Sequence, residues 1–131
     1  MRVTSPPRMQ IGDVADRTGL SLRTIRHYEE VGLLPESRRS SGGFRLYDEQ
    51  AVARLLLIKR MKPLDFSLEE MRDLIDLRDR LTGPDLSSAT RADLRERLAS
   101  YHALVDQKLT RLRQQADSAQ AFADQLAAEL A

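Results

Sequence analysis

Apolar residues first fall into a pattern at Ile11, Val14 and Ala15, the i, i+3, i+4 spacing that one face of an α-helix gathers. Thr18-Gly19-Leu20 interrupts that helix as a three-residue turn, and a second short helix is predicted from Ser21 to Gly32. Ser21 can accept a hydrogen bond from the free N–H groups of the first turn, Gly32 can take the left-handed backbone that ends a helix, and Pro35 prevents its resumption. Leu22, Ile25 and Glu29 fall on one side with Val31 nearby, while Arg23, Thr24, Arg26, His27 and Glu30 spread over the rest.

Beyond Pro35 the period changes. Two basic stretches flank a Ser/Gly turn, and Phe44 and Leu46 alternate with Arg45 and Tyr47, the pattern of a small β-hairpin. Asp48 then caps a third helix carrying Ala51, Val52, Leu55, Leu56 and Ile58, all taken as core, and Pro63 ends it. Ser67-Leu68-Glu69-Glu70 is a capping box that opens a fourth helix through Met71, Leu74, Ile75 and Leu81, broken by Thr82-Gly83-Pro84-Asp85.

No proline or glycine occurs from about Thr90 to Leu130, and a helix of about 40 residues would reach roughly 60 Å. One heptad set, Leu98, Val105, Leu112, Ala119 and Leu126, persists throughout. Its partner set is Leu94 and Tyr101 at first, then Leu109, Ala116, Ala123 and Leu130, so the seam drifts as an almost straight helix requires. The stripe extends farther than a small domain could cover, which favours a coiled-coil homodimer joined through Leu98, Tyr101, Val105, Leu109 and Leu112 over a helix folded back on its own chain. The expected organisation is therefore a disordered arm over 1–8, a domain over 9–81 and a dimerisation helix over 82–131.

Charge sharpens the picture. The net +1 hides an asymmetry: residues 1–62 carry 12 Lys/Arg against 7 Asp/Glu, net +5, and residues 63–131 carry 9 against 13, net −4. The front half is the half that would meet a polyanion. Two short helices on a tight glycine turn are a helix-turn-helix layout, whose second helix enters the major groove of DNA, and the hairpin arginines Arg38, Arg39 and Arg45 are placed as phosphate clamps on a wing. Cysteine is absent and His27 and His102 lie far apart, so neither a disulfide framework nor a zinc or thiolate metal site is expected, and no cofactor. No apolar run approaches a membrane span and Met1 to Arg8 lacks a signal-peptide core, so a cytoplasmic protein is expected. An enzyme is disfavoured, because no nucleophile–base pair, carboxylate pair or phosphate loop is visible.

Four ordered blocks carry a resemblance: Ile11-Gly12-Asp13-Val14-Ala15, Arg23 to Leu34 (Arg-Thr-Ile-Arg-His-Tyr-Glu-Glu-Val-Gly-Leu-Leu), Gly43-Phe44-Arg45-Leu46-Tyr47 and Phe66-Ser67-Leu68-Glu69-Glu70-Met71. In that order and spacing the chain resembles the MerR family of bacterial transcription regulators, closely over about residues 9–80 and in kind over the long helix that follows. The resemblance implies a mainly α-helical protein, a winged helix-turn-helix DNA-binding domain followed by a long dimerisation helix in an antiparallel coiled coil. It would place Arg23, Arg26 and His27 in or beside the major groove, Tyr28 on the sugar-phosphate backbone, and Arg39, Phe44 and Arg45 in wing contacts. Alternatives stay open for three residues: Tyr28 as core, Phe44 as hairpin packing, and Glu29 as a group that orients an arginine.

Two departures stand out. His27 replaces the aromatic residue of many relatives, and Leu64-Asp65-Phe66 replaces their usual Leu-Gly-Phe, which puts the hinge geometry in question. The cysteines of the metal- and redox-sensing members are missing, and no separate ligand domain is expected, so an effector, small molecule or otherwise, cannot be named. The function expected is a homodimeric transcription regulator acting on double-stranded DNA at a pseudo-palindromic promoter site, with RNA polymerase as a further partner, by distorting the promoter spacer. The alternatives are an architectural or recombination-directionality protein that bends DNA without promoter control, and a coiled-coil adaptor whose basic face is incidental.

Overall fold

The computed structural model describes residues 9–35, 38–39 and 42–131; the arm expected over residues 1–8 lies outside them. Helix α1 (Ile11–Thr18) opens where the Asp13 carboxylate accepts the Gln10 N–H, and α2 (Leu22–Glu30) opens where Ser21 Oγ accepts the Thr24 N–H at 3.1 Å. Both close on glycine. Gly19 (φ +72) ends α1 with its N–H on the Ala15 carbonyl, and Gly32 (φ +81) follows α2. Each of these helix ends also receives a cation from far along the chain: Lys59 Nζ donates to the Thr18 carbonyl at 2.8 Å, and the Arg72 guanidinium donates to the Val31 carbonyl. Positive groups there satisfy orphan carbonyls and oppose the negative end of the helix dipole.

Position 19 is therefore constrained twice. A side chain would have to occupy left-handed backbone, and its Cβ would lie 2.9 Å from Lys59 Nζ. Gly19→Ala is expected to lower unfolding stability by about 1–2 kcal/mol, mostly from the backbone, because the lysine tip can swing aside. Denaturant unfolding checks it, and an unchanged midpoint would show that the turn accepts a side chain.

Strands β1 (Arg38–Arg39) and β2 (Arg45–Leu46) pair antiparallel, Arg38 opposite Leu46 and Arg39 opposite Arg45, which is the expected hairpin. A further pairing was not foreseen: Met9 and Tyr47 exchange two backbone hydrogen bonds of 2.7 Å, tying the entry to α1 to the exit of the hairpin. Asp48 accepts the Ala51 N–H at 2.9 Å and starts α3 (Glu49–Met61). Ala51, Val52, Leu55 and Ile58 of α3 are buried as expected, but Leu56 is exposed. Four consecutive apolar residues sweep all round a helix of 3.6 residues per turn, so one of them had to point outward.

Pro63 does not force its predecessor out of helical geometry. Lys62 stays right-handed (φ −59, ψ −45), and a single 3-10 turn over Lys62–Leu64 follows α3 directly. Asp65 then takes φ +58, ψ +36, left-handed backbone that glycine adopts most readily, at the position where the resemblance expects a glycine. Aspartate tolerates that region better than most residues. The capping box is formed as predicted, Ser67 N–H to Glu70 Oε1 at 2.9 Å and Glu70 N–H to Ser67 Oγ at 3.1 Å, and it opens α4 (Leu68–Leu81).

The chain divides into two compact units, the first ending at Asp79 and the second running from Arg80 to Ala131. In the first, α1 packs against α2 and α3 over a core that includes Val14, Ile25, Leu55 and Ile58. Ion pairs join its elements, among them Arg17 of α1 with Glu49 at the start of α3, and Arg54 of α3 with Asp79 of α4 at 2.5 Å. The hydrogen bond from Arg17 holds the Glu49 carboxyl below its ordinary value.

The second unit is dominated by α5 (Ser88–Leu130), 43 residues long. Its cap repeats the Ser-x-x-Thr solution of α2, Ser87 Oγ accepting the Thr90 N–H at 3.1 Å, which moves the start two residues ahead of the expected Thr90. Leu98, Leu109, Leu112, Leu126 and Leu130 are exposed large apolar residues, and so is Phe122, which the heptad pattern did not single out although it lies i+3 from Ala119 and i−4 from Leu126.

Candidate nucleic-acid interface

Helix α2 is fixed by two buried residues, Ile25 and Tyr28, at i and i+3. That anchoring leaves Arg23, Arg26 and His27 exposed, three successive opportunities for contact on the outward face. Among the described residues neither Arg23 nor Arg26 is held in an ion pair. Leu22, expected on the inward side, is 40% exposed.

Tyr28 corrects one expectation. It is 3% exposed, so its ring belongs to the core, and the sugar-phosphate contact that the resemblance implied has almost no surface to use. The open alternative of a core tyrosine is the one realised. Its ring centroid lies 5.8 Å from that of His27, and Lys62 Nζ stands over the ring, 5.8 Å from its centroid. His27, Tyr28, Lys62, Asp65, Phe66, Leu68 and Met71 line one hollow, and Lys62 thus joins the His27 surface from 35 residues further along the chain. Lys62 went unnoticed in the sequence because it follows a helix whose pattern concerned only the core.

The hairpin brings a second cationic group alongside. Arg26, Phe44 and Arg45 line a cleft with Gln10, Ile11 and Gly43. Phe44 is 59% exposed, and Arg39 is described only as backbone in β1. Arg45 is partly held: Glu29 of α2 accepts from its Nη1 at 2.5 Å and from Tyr47 Oη at 3.1 Å. The Tyr47 hydroxyl, and after it the Glu29 charge, push the Arg45 guanidinium further above its ordinary value. Glu29 is thus bonded to an arginine, the contact that the orienting alternative requires.

Comparison with known proteins places this arrangement. Residues 9–77 match the family model described as MerR HTH family regulatory protein, and residues 52–128 match the one described as MerR, DNA binding. The chain belongs to the MerR family. It is 45% identical over 73 residues to the mercuric resistance operon regulatory protein of Bacillus cereus, covering 56% of this chain and 55% of that protein. It is 33% identical over 116 residues to the transcriptional regulator CueR of Salmonella typhi, covering 88% of this chain and 80% of that one. Among solved structures, it is similar to the lead(II)-bound transcription regulator of Ralstonia metallidurans, at 37% identity and a TM-score of 0.56 over 90% of this chain and 82% of the other.

The chain thus spans about half the length of the mercury regulator and four-fifths of CueR. One relative is named for mercuric resistance and one structural neighbour was crystallised with lead(II), whereas the 131 residues here contain no cysteine. No helix among the described residues is long and apolar enough to cross a membrane.

Proposed function

We propose that this MerR-family chain is a sequence-specific DNA-binding transcription regulator that acts as a homodimer on a pseudo-palindromic promoter site. The observation that carries the proposal is that Arg23, Arg26 and His27 are exposed together on one helix, α2, and that Arg26 shares a cleft with the partly open Arg45 of the hairpin, while neither Arg23 nor Arg26 is in an ion pair among the described residues. Arg23, Arg26 and His27 would meet the major groove, and Arg39, Phe44 and Arg45 the flanking backbone. The exposed leucines of α5 support dimerisation, and membership of the family of CueR supports control of transcription.

The two kinds of arginine should be separable. Arg45→Ala is expected to weaken binding to specific and random DNA alike and to flatten the salt dependence, whereas Arg26→Ala costs about 1–3 kcal/mol on the specific site and relaxes preference at one base pair. Titrations of both duplexes over a range of salt decide it, and equal losses on both for both variants would remove the division of roles.

Control of a promoter would follow from geometry. A rigid dimer fixes the separation of two recognition helices, so a site with a different spacing must bend or untwist, at a cost on the order of 1–6 kcal/mol that arginine contacts can offset. The protein would then bring the polymerase-recognition elements of an over-long spacer into register. Transcription with purified polymerase, on templates whose spacer is shortened one base pair at a time, tests this. The expected result is a shortened promoter that fires without the protein. If no length does so, distortion gives way to recruitment or repression; if the protein binds and bends DNA but never changes transcription, the architectural alternative holds.

A further inference from the structure

We propose that Glu29 is the positioning residue that sets the hairpin against α2 and aims Arg45 at DNA; this rests on the DNA-binding proposal above. A carboxylate on a helix that meets a polyanion is out of place by charge alone, since at the surface it would repel phosphate. Glu29 is not at the surface: its side chain is 8% exposed. Its Oε1 receives Arg45 Nη1 at 2.5 Å and Tyr47 Oη at 3.1 Å, two donors that follow it by 16 and 18 residues and both belong to the outgoing arm of the hairpin.

That arm needs an external brace. Each strand has two residues, and the register consists of Arg38 opposite Leu46 and Arg39 opposite Arg45, while a two-stranded hairpin of any length is marginal by itself. The Met9–Tyr47 bridge fastens the hairpin to the start of α1, not to α2. Glu29 supplies that link. It holds one edge of the guanidinium and leaves 38% of the Arg45 side chain open beside Arg26 and Phe44. A charge-assisted bond of this kind restricts a long side chain that would otherwise sample many rotamers.

The consequence runs against simple electrostatics. Glu29→Gln removes a negative charge from a DNA-binding surface, yet it is expected to weaken binding roughly tenfold, because Arg45 loses its direction. The experiment uses the full chain and two labelled duplexes, one selected from a random pool by the unaltered protein and one of unselected sequence, with affinity read by anisotropy over a range of salt. Glu29→Gln, Arg45→Ala and the double variant form a cycle. The expected outcome is that the double variant binds no more weakly than Arg45→Ala and that Glu29→Gln shares its flattened salt slope. Binding by Glu29→Gln that equals or exceeds that of the unaltered protein overturns the proposal, as do losses that multiply in the double variant. Should Glu29→Gln unfold, Tyr47→Phe takes its place in the cycle, with a smaller loss expected that vanishes in the Arg45→Ala background; a loss that persists there overturns the proposal. If Arg45→Ala itself binds both duplexes unchanged, the wing contact fails as well. If only the glutamate variant is silent, the wing contact survives without Glu29.

Discussion

Ile25→Ala is expected to cost about 2–5 kcal/mol of unfolding stability, against a total of roughly 5–15 kcal/mol for a domain of this kind. The side chain is fully buried and belongs to the helix that carries the exposed arginines, so its loss empties the contact that seats α2 on the core. The unfolding midpoint should fall by something on the order of 10–20 °C. Leu22→Ala, three residues earlier on the same helix and 40% exposed, should stay within about 0.5 kcal/mol of the parent. Calorimetry on the pair checks both, and similar losses would mean that α2 is seated differently.

The other large effect is on assembly. Leu109→Asp combined with Leu112→Asp should convert the proposed dimer to monomer. In the single chain these leucines are 38% and 43% exposed, so the fold of one protomer hardly depends on them. Against a partner, each buried leucine contributes about 1.5–3 kcal/mol, and a carboxylate in its place would be buried without a counter-charge. The dissociation constant should rise at least about a thousandfold. Sedimentation velocity at micromolar concentration reads the result, and an unaltered chain that already sediments as a monomer would remove the dimer from the proposal.

Local punctuation was what the sequence carried best. Ser21 and Gly32 around α2, Asp48 before α3 and the Ser67–Glu70 box act within four residues of themselves, so spacing alone identifies them. The cationic face of α2 was legible for the same reason, because helical periodicity sorts residues within one element. What escaped depends on distant segments. Tyr28 is aromatic and polar, equally at home in a core or on a backbone phosphate, and only the packing around it decides. Leu56 sits in an apolar run where composition gives no direction. The Met9–Tyr47 bridge, Lys62 beside Tyr28, and the cations of Lys59 and Arg72 on helix ends join residues some 34 to 41 positions apart, separations at which no periodicity speaks.

The C-terminal half of α5 also has a bearing on hydrogen exchange. Every residue from Arg111 to Ala131 is exposed in the single chain, so the amides there are guarded only by helical hydrogen bonds, which open readily in a segment with no tertiary cover. If the proposed dimer forms, deuterium uptake between Arg111 and Leu130 should slow as protein concentration rises, while the amides of α3 around Leu55 and Ile58, buried within one chain, should keep the same protection on dilution. The two regions of a single molecule would then serve as probe and internal reference for association, without label or mutation.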